Sequence, residues 1–321
     1  MKFIVRSFLF AGLLLVGFTV SAQSVQEAGD MFNQGNQQFK AKAFSKAVDL
    51  YEQALQIAEA AGPDAFELQG KIENQLATAL FWNGINFYKQ RQFDKAIAQM
   101  QKSLQMADKA QNAKIKNYDI IYIARVYASK GNALLKKKDY TGAEAAYAAA
   151  LKVNPKSINA YFGKSLLYKE TKSYDKMIAM VDKVGEYVNT NRKGPQMYAK
   201  VKRMAYGALL NAGASELQKE HPAKALGYLN QSLKFNSSSA STYYYMAIAN
   251  LKLRKYTAAI TNAKKALSLP GNDKSDIYFT LAQAYQKKGD KANACNAFKH
   301  VVKGPNVAAA KYQRSHVLKC K

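Results

Sequence analysis

The chain has 321 residues, with 48 Lys or Arg against 22 Asp or Glu, a formal charge of +26. It holds three histidines and two cysteines, and both cysteines, Cys295 and Cys320, stand near the C-terminus. That scarcity excludes a histidine-rich metal enzyme and leaves any nucleophile–base pair elsewhere to Lys or carboxylates.

Residues 1–22 read as a secretory signal peptide. Lys2 and Arg6 form the charged start, Phe8 to Val20 the apolar run, and Val20-Ser21-Ala22 a small-residue cleavage site before Gln23. The alternative is an uncleaved anchor, but the run is shorter than the roughly 20 residues needed to span a bilayer. No later stretch is long and apolar enough to cross a membrane, so the mature chain is expected in the periplasm or secreted.

Beyond residue 28 a residue recurs in one local frame, small in six of seven cases: Ala47, Ala96, Ala143, Met177, Ala225, Ala259 and Ala294. Three positions before it stand Phe44, Phe93, Tyr140, Tyr174, Pro222, Tyr256 and Lys291. Twelve before it stand Gly35, Gly84, Gly131, Ser165, Gly213, Ala247 and Ala282. Such self-similarity predicts a stacked array of helix pairs, whose work is recognition across a long surface. Successive markers are 49, 47, 34, 48, 34 and 35 residues apart. Three junctions thus carry about four extra helical turns at 3.6 residues per turn. The economical expectation shares them equally, two turns to each flanking helix. Gly62-Pro63 and Gly194-Pro195 punctuate two of these junctions.

This frame resembles the tetratricopeptide repeat. The third unit carries it through Tyr127, Gly131, Leu134, Tyr140, Ala143, Tyr147, Ala150, Leu151 and Pro155. The sixth does so through Tyr243, Ala247, Tyr256, Ala259, Ala266, Leu267 and Pro270. The resemblance implies an all-α, helix-turn-helix solenoid wound as a right-handed superhelix. It places about seven repeats at 28–61, 77–110, 124–157, 158–191, 206–239, 240–273 and 275–308, with a C-terminal cap at 309–321. The pattern departs where Glu216 and Pro222 replace rings and where Trp is missing from the first aromatic position. Some members of this family clamp C-terminal carboxylates with Lys, Asn and Arg. Here only Asn36 fits, and Arg125 could contribute. Phe32, Trp82, Ile85 and Ser129 stand elsewhere in that pattern, so the clamp is not carried over.

Cys295 and Cys320 are a possible disulfide tying the cap to the last repeat, the alternative being two thiols in a packed helix pair. A zinc site with His300 and His316 is disfavoured, because Cys295 and His300 splay by about 140° on a helix. Residues 23–120 carry 11 basic and 11 acidic side chains, whereas 121–321 carry 35 and 11. The inter-helix turns hold much of that excess, as in Lys136, Lys137 and Lys138. The junction before the fifth repeat adds Arg192, Lys193, Lys200 and Arg203. These seven form the candidate anion-binding patch; single lysines of this kind also serve as ordinary solvated turns.

Phe32, Phe162, Tyr244 and Phe279 share one repeat position, and with Leu251 they form the candidate partner groove, or else pack on the preceding hairpin. Of Tyr243, Tyr244 and Tyr245, at least one should be exposed, and Tyr244 is the choice. No phosphate-binding glycine loop, HExxH or GxSxG motif is present, so no enzyme, cofactor or metal is expected. The expected function is an exported interaction scaffold for a protein or peptide partner in envelope assembly or secretion. The alternative is a salt-sensitive binder of lipid phosphate, peptidoglycan or acidic glycan through repeats 3–7. Nucleic acid is not expected as the natural ligand of an exported chain.

Overall fold

The computed structural model describes residues 5–190, 192–270 and 274–320, with side chains from Gln23 onward. The helices run α1 (Val5–Lys40), α2 (Phe44–Ala61), α3 (Phe66–Lys89), α4 (Phe93–Lys109), α5 (Ala113–Lys136), α6 (Tyr140–Val153), α7 (Ile158–Glu170) and α8 (Tyr174–Glu186). They continue as α9 (Gly194–Gln218), α10 (Pro222–Leu233), α11 (Ala240–Lys252), α12 (Tyr256–Ser268), α13 (Ser275–Lys288), α14 (Lys291–Lys299) and α15 (Val307–Tyr312). The described residues contain no strand. The chain forms two compact units, residues 1–167 and 168–321. Within the first, α1 to α6 pack each on the next; within the second, α8 to α15 do the same.

The seam residues explain why hairpins form. All seven markers, Ala47 through Ala294, are fully buried, and so are the partner positions four residues later, from Tyr51 to Phe298. Glycine on the first helix of a hairpin makes room for that later side chain. A Cβ at Gly35 would lie 2.6 Å from the Tyr51 ring, and one at Gly131 equally close to Tyr147. Tyr147 is also crowded by Gly163 of α7, so its ring fills the joint between neighbouring hairpins. Where the first helix brings Ala247, the later residue is Ala263; where it brings Ala282, the later residue is Phe298. The two tyrosine hydroxyls are satisfied by donating to Asn36 Oδ1 at 2.8 Å and to Asn132 Oδ1 at 2.7 Å. Burial pushes the Tyr51 hydroxyl up to about 12 and that of Tyr147 up as well.

The seven hairpin turns share one geometry. Lys42, Arg91, Lys138, Lys172, Glu220, Arg254 and Gly289 each sit at positive φ. The next residue's N–H then donates to the carbonyl five positions back, as Asp139 does to Leu134 at 3.0 Å and Lys255 to Asn250 at 2.8 Å. This is the left-handed helix cap, usually given to Gly. Five of the seven are Lys or Arg. Their charge opposes the negative helix end, which offsets part of the left-handed strain. The turn lysines therefore have a local structural task. Asp139 and Asp290 cap the following helices by accepting from Gly142 N at 2.9 Å and Asn293 N at 3.1 Å.

The extra turns at the long junctions are not shared equally. α2 and α4 have 18 and 17 residues against 14 in α6, about one added turn each. α3 and α5 have 24 against 13 in α7, three added turns. At the third junction α8 stays at 13 and α9 reaches 25. Helix breakers decide this split. Gly62 ends α2 at positive φ, and the Asn112 side chain starts α5 by accepting from Ile115 N at 3.0 Å.

At the C-terminus the expected capping helix is shorter than foreseen: α15 ends at Tyr312 and a π turn follows over Gln313–Val317. The structure joins Cys295 and Cys320 as a disulfide, with Cα atoms 5.8 Å apart. That bond rules out their use as zinc ligands. His300 stacks instead on Tyr278 at 4.7 Å, and His316 on Tyr312 at 4.9 Å. Among the described residues no helix is long and apolar enough to cross a membrane. Of the expected signal peptide, residues 1–4 lie outside the described residues; residues 5–22 are the first part of α1.

Candidate functional site

The most conspicuous surface of the first unit is a run of aromatic rings. Phe44 opens α2 and stacks on Trp82 of α3 at 6.0 Å. Trp82 meets Phe81 edge-on at 5.5 Å. Phe81 then stacks on Tyr118 at 5.8 Å and takes Tyr122 edge-on at 5.4 Å. The Arg125 guanidinium closes the series 4.3 Å above the Tyr122 ring. Such ring pairs add roughly 0.5–1.5 kcal/mol each beyond burial. Phe81 is the buried anchor, while Trp82, Tyr118 and Ile121 remain 41%, 42% and 45% exposed. Tyr118 and Tyr122 lie one turn apart, and Tyr118 belongs to the three turns by which α5 exceeds α7. The extension of α5 therefore supplies the end of this face: an aromatic series across three helices with a cation over its last ring.

The residues foreseen as a groove are all half-buried. Phe32 packs on the Tyr51 ring at 5.7 Å, and Phe279 lies edge-on to Phe298 at 5.7 Å. Tyr244, Leu251 and Phe279 pack together on the core formed by α11 to α14. Phe162 is half-buried on α7. Tyr244 is not the exposed member of its triplet. All three tyrosines are half-buried, because cores on both sides receive them: Tyr244 on one, Tyr245 on the other, Tyr243 on both. Tyr244 bonds Thr280, and burial pushes its hydroxyl up from the ordinary tyrosine range.

The seven patch cations are exposed, but they divide between the units. Lys136, Lys137 and Lys138 form the α5–α6 turn of the first. Arg192, Lys193, Lys200 and Arg203 stand at and within the start of α9 in the second. The second unit also holds a carboxylate met by two lysines and a histidine. Glu216 is nearly buried near the end of α9, with His221 Nδ1 at 3.0 Å, Lys219 Nζ at 3.1 Å and Lys224 Nζ at 3.5 Å. The His221 hydrogen bond first, and the lysines after it, hold its carboxyl down at about 2. This explains how a carboxylate replaces a ring at that repeat position. Among the described residues, no three His, Cys, Asp or Glu side chains are grouped to hold a metal.

Two segments match family models described as tetratricopeptide repeat, residues 129–179 and 275–303. These two segments identify tetratricopeptide repeats within the chain. A TPR repeat-containing protein of Methanocaldococcus jannaschii is 25% identical over 233 residues, 73% of this chain, and this chain spans only 39% of that relative's length. Among solved structures, the TPR2AB domain of yeast Sti1 in complex with pHSP90 is 20% identical, with a TM-score of 0.35, covering 92% of this chain and 97% of that one. YrrB, described as a tetratricopeptide protein with an unusual peptide-binding site, is 18% identical with a TM-score of 0.33, covering 61% and 89%. Within this chain Asn36, the one residue matching a carboxylate clamp, is engaged by the Tyr51 hydroxyl. The tyrosines of the aromatic series escape the repeat frame, since they stand on α5 before the repeat begins at residue 124. The signal that finds them is the i, i+4 pair Tyr118/Tyr122 beside the chain's single Trp.

Proposed function

We propose that this tetratricopeptide repeat protein is an exported, non-catalytic scaffold that docks a partner protein or peptide on the aromatic strip of its first unit. The observation that carries this reading is the partial exposure of Trp82 and Tyr118 on one continuous ring series, with exposed Ile121 one turn from Tyr118 on α5. A soluble chain leaves such a strip uncovered at a cost in solubility, and a partner's apolar side chains cover it. Arg125 at the end of the series suits an acidic group flanking those side chains. Export is supported by the charged and apolar opening of residues 1–22 and by a disulfide, which persists in oxidising compartments. A role in envelope assembly or secretion follows from that placement.

Photo-crosslinking in native cells tests it. A crosslinking amino acid at position 118 or 121 should capture a defined partner. The same probe at Tyr244 or Phe279 should not. Capture only from the second unit's positions, or none from 118 and 121, would refute the strip.

A second reading rests on charge. From Gln23 onward the first unit carries 19 basic and 13 acidic side chains; the second carries 27 and 9. That imbalance supports binding of lipid phosphate, peptidoglycan or acidic glycan. Such binding to anionic vesicles should weaken by roughly fivefold for each of Arg192, Lys193, Lys200 and Arg203 changed to Gln, and collapse in high salt. Salt-insensitive binding would exclude it.

A further inference from the structure

One carboxyl is buried with no counter-charge. Asp119, on α5, is fully buried at the joint with α4 and α3. Its Oδ2 lies 2.7 Å from Ser103 Oγ of α4, and the same Oγ lies 2.8 Å from the Ala77 carbonyl oxygen of α3. Its Oδ1 has no hydrogen-bond partner. The protons can be counted. A serine hydroxyl carries one hydrogen, and a carbonyl offers none. With an ionised Asp119, two acceptor groups, the carboxylate and the Ala77 carbonyl, would compete for that hydrogen, and one short O···O contact would have none. With a protonated Asp119, Ser103 donates to Ala77 O and the carboxyl O–H donates to Ser103 Oγ. Both contacts are then hydrogen bonds.

We propose that Asp119 is a proton-operated latch that fastens the N-terminal part of α5 to α3 and α4 when neutral and loosens it when ionised. Among the described residues, none of these ion pairs on the packed elements reaches Asp119: Glu67 pairs with Lys71 on α3, Glu73 of α3 with Lys109 of α4, Lys102 of α4 with Glu52, Asp94 of α4 with Lys130 of α5, and Asp108 of α4 with Lys116 of α5. Glu144 of α6 pairs with Lys164. Titration of Asp119 is accordingly governed by burial, against which the Ser103 bond acts, and its carboxyl is pushed up to about 7. An unfolded aspartate ionises near pH 4. Between these values the folded chain keeps a proton that the unfolded chain has released. The folded form therefore loses advantage as pH rises, about tenfold in the opening constant per pH unit, and the slope vanishes once the native carboxyl is ionised.

The latch has a reach beyond itself. Tyr118 and Ile121 flank Asp119 on the same helix and form the exposed end of the aromatic strip. Loosening α5 uncouples Tyr118 from Phe81. If the strip is the docking face, as proposed above, partner affinity falls as pH rises; the latch itself does not depend on that reading.

The test uses the full chain and Asp119→Asn, whose amide N–H donates to Ser103 Oγ as the neutral acid does. Amide exchange of residues 113–124, corrected for intrinsic pH dependence, is followed from pH 4.5 to 8. Wild-type protection should drop by at least tenfold across this range, and the variant's should stay level. Equal pH slopes in both proteins, or a variant less protected than wild type at pH 8, would overturn the latch. Carboxyl 13C NMR of Asp119 in the unaltered protein gives an independent reading. A midpoint near 7 supports the latch, and one at or below 4 overturns it, whether or not the variant folds.

Discussion

The two units use one hairpin in two ways. In the first, the joints are filled by large rings, Tyr51 and Tyr147 against glycine, and long helices extend beyond the repeat to carry an aromatic face. In the second, the same position varies from Ala263 to Leu229 and Phe298, and charge dominates, with 27 basic against 9 acidic side chains. The buried carboxyls diverge as well. Asp119 sits without a cation, whereas Glu216 is met by Lys219, Lys224 and the His221 ring. The lesson is that the repeat frame fixes the spacing of helices but leaves the chemistry of each joint open.

The strongest way to break this contrast is to empty a filled joint. Tyr147→Ala should cost about 3–5 kcal/mol, the range for deleting a large buried ring. Because arrays are coupled mainly between neighbours, amide exchange should rise across α5 to α7 and little across α11 to α14. Uniform loss of protection along the whole chain would contradict that locality.

Next comes acid. The Glu216 carboxyl is held at about 2 in the folded chain, below its unfolded value, so its contribution is present above about pH 4.5 and is lost as pH falls towards 2. Asp119 acts in the opposite sense, weakening its joint as pH climbs from 4 to 7. Exchange measured from pH 2.5 to 5 should show α9 and α10 loosening at the acid end, and Glu216→Gln should remove that trend. A trend unchanged by the substitution would assign the effect elsewhere.

The smallest effect concerns the left-handed turns. Lys138→Gly relieves backbone strain but gives up a favourable charge at the helix end, so denaturant midpoints should barely move. Glu220→Gly gives up an unfavourable charge at the same position and an exposed bond to Lys252, and should stabilise by about 0.5 kcal/mol. Equal gains at both positions would show that charge plays no part there.

Much of the fold was legible. Seven buried markers and their partners four residues later follow from a single frame, and Gly62 marks the end of α2. What escaped the sequence has physical reasons. The division of the extra turns between helices is invisible to periodicity, because both helices share it; caps such as Asn112 settle it. Tyr244 looked exposed because divergent directions on a helix were weighed against one core, while the array supplies cores on both sides. The aromatic strip was missed because Tyr118 and Tyr122 precede the repeat, and the frame that organises the chain says nothing about its extensions.

Two of those extensions share a phase. α3 and α5 exceed α7 by 11 residues. At 100° per residue, 11 steps bring a helix back to within about 20° of its starting azimuth. Growth by that quantum adds about 16 Å of new rod while every older side chain keeps its bearing. An increment of nine would swing the new apolar stripe half a revolution into water. The chain could thus acquire an additional recognition wall in one step without renegotiating any seam already in place, and the same quantum offers engineers a place to graft one.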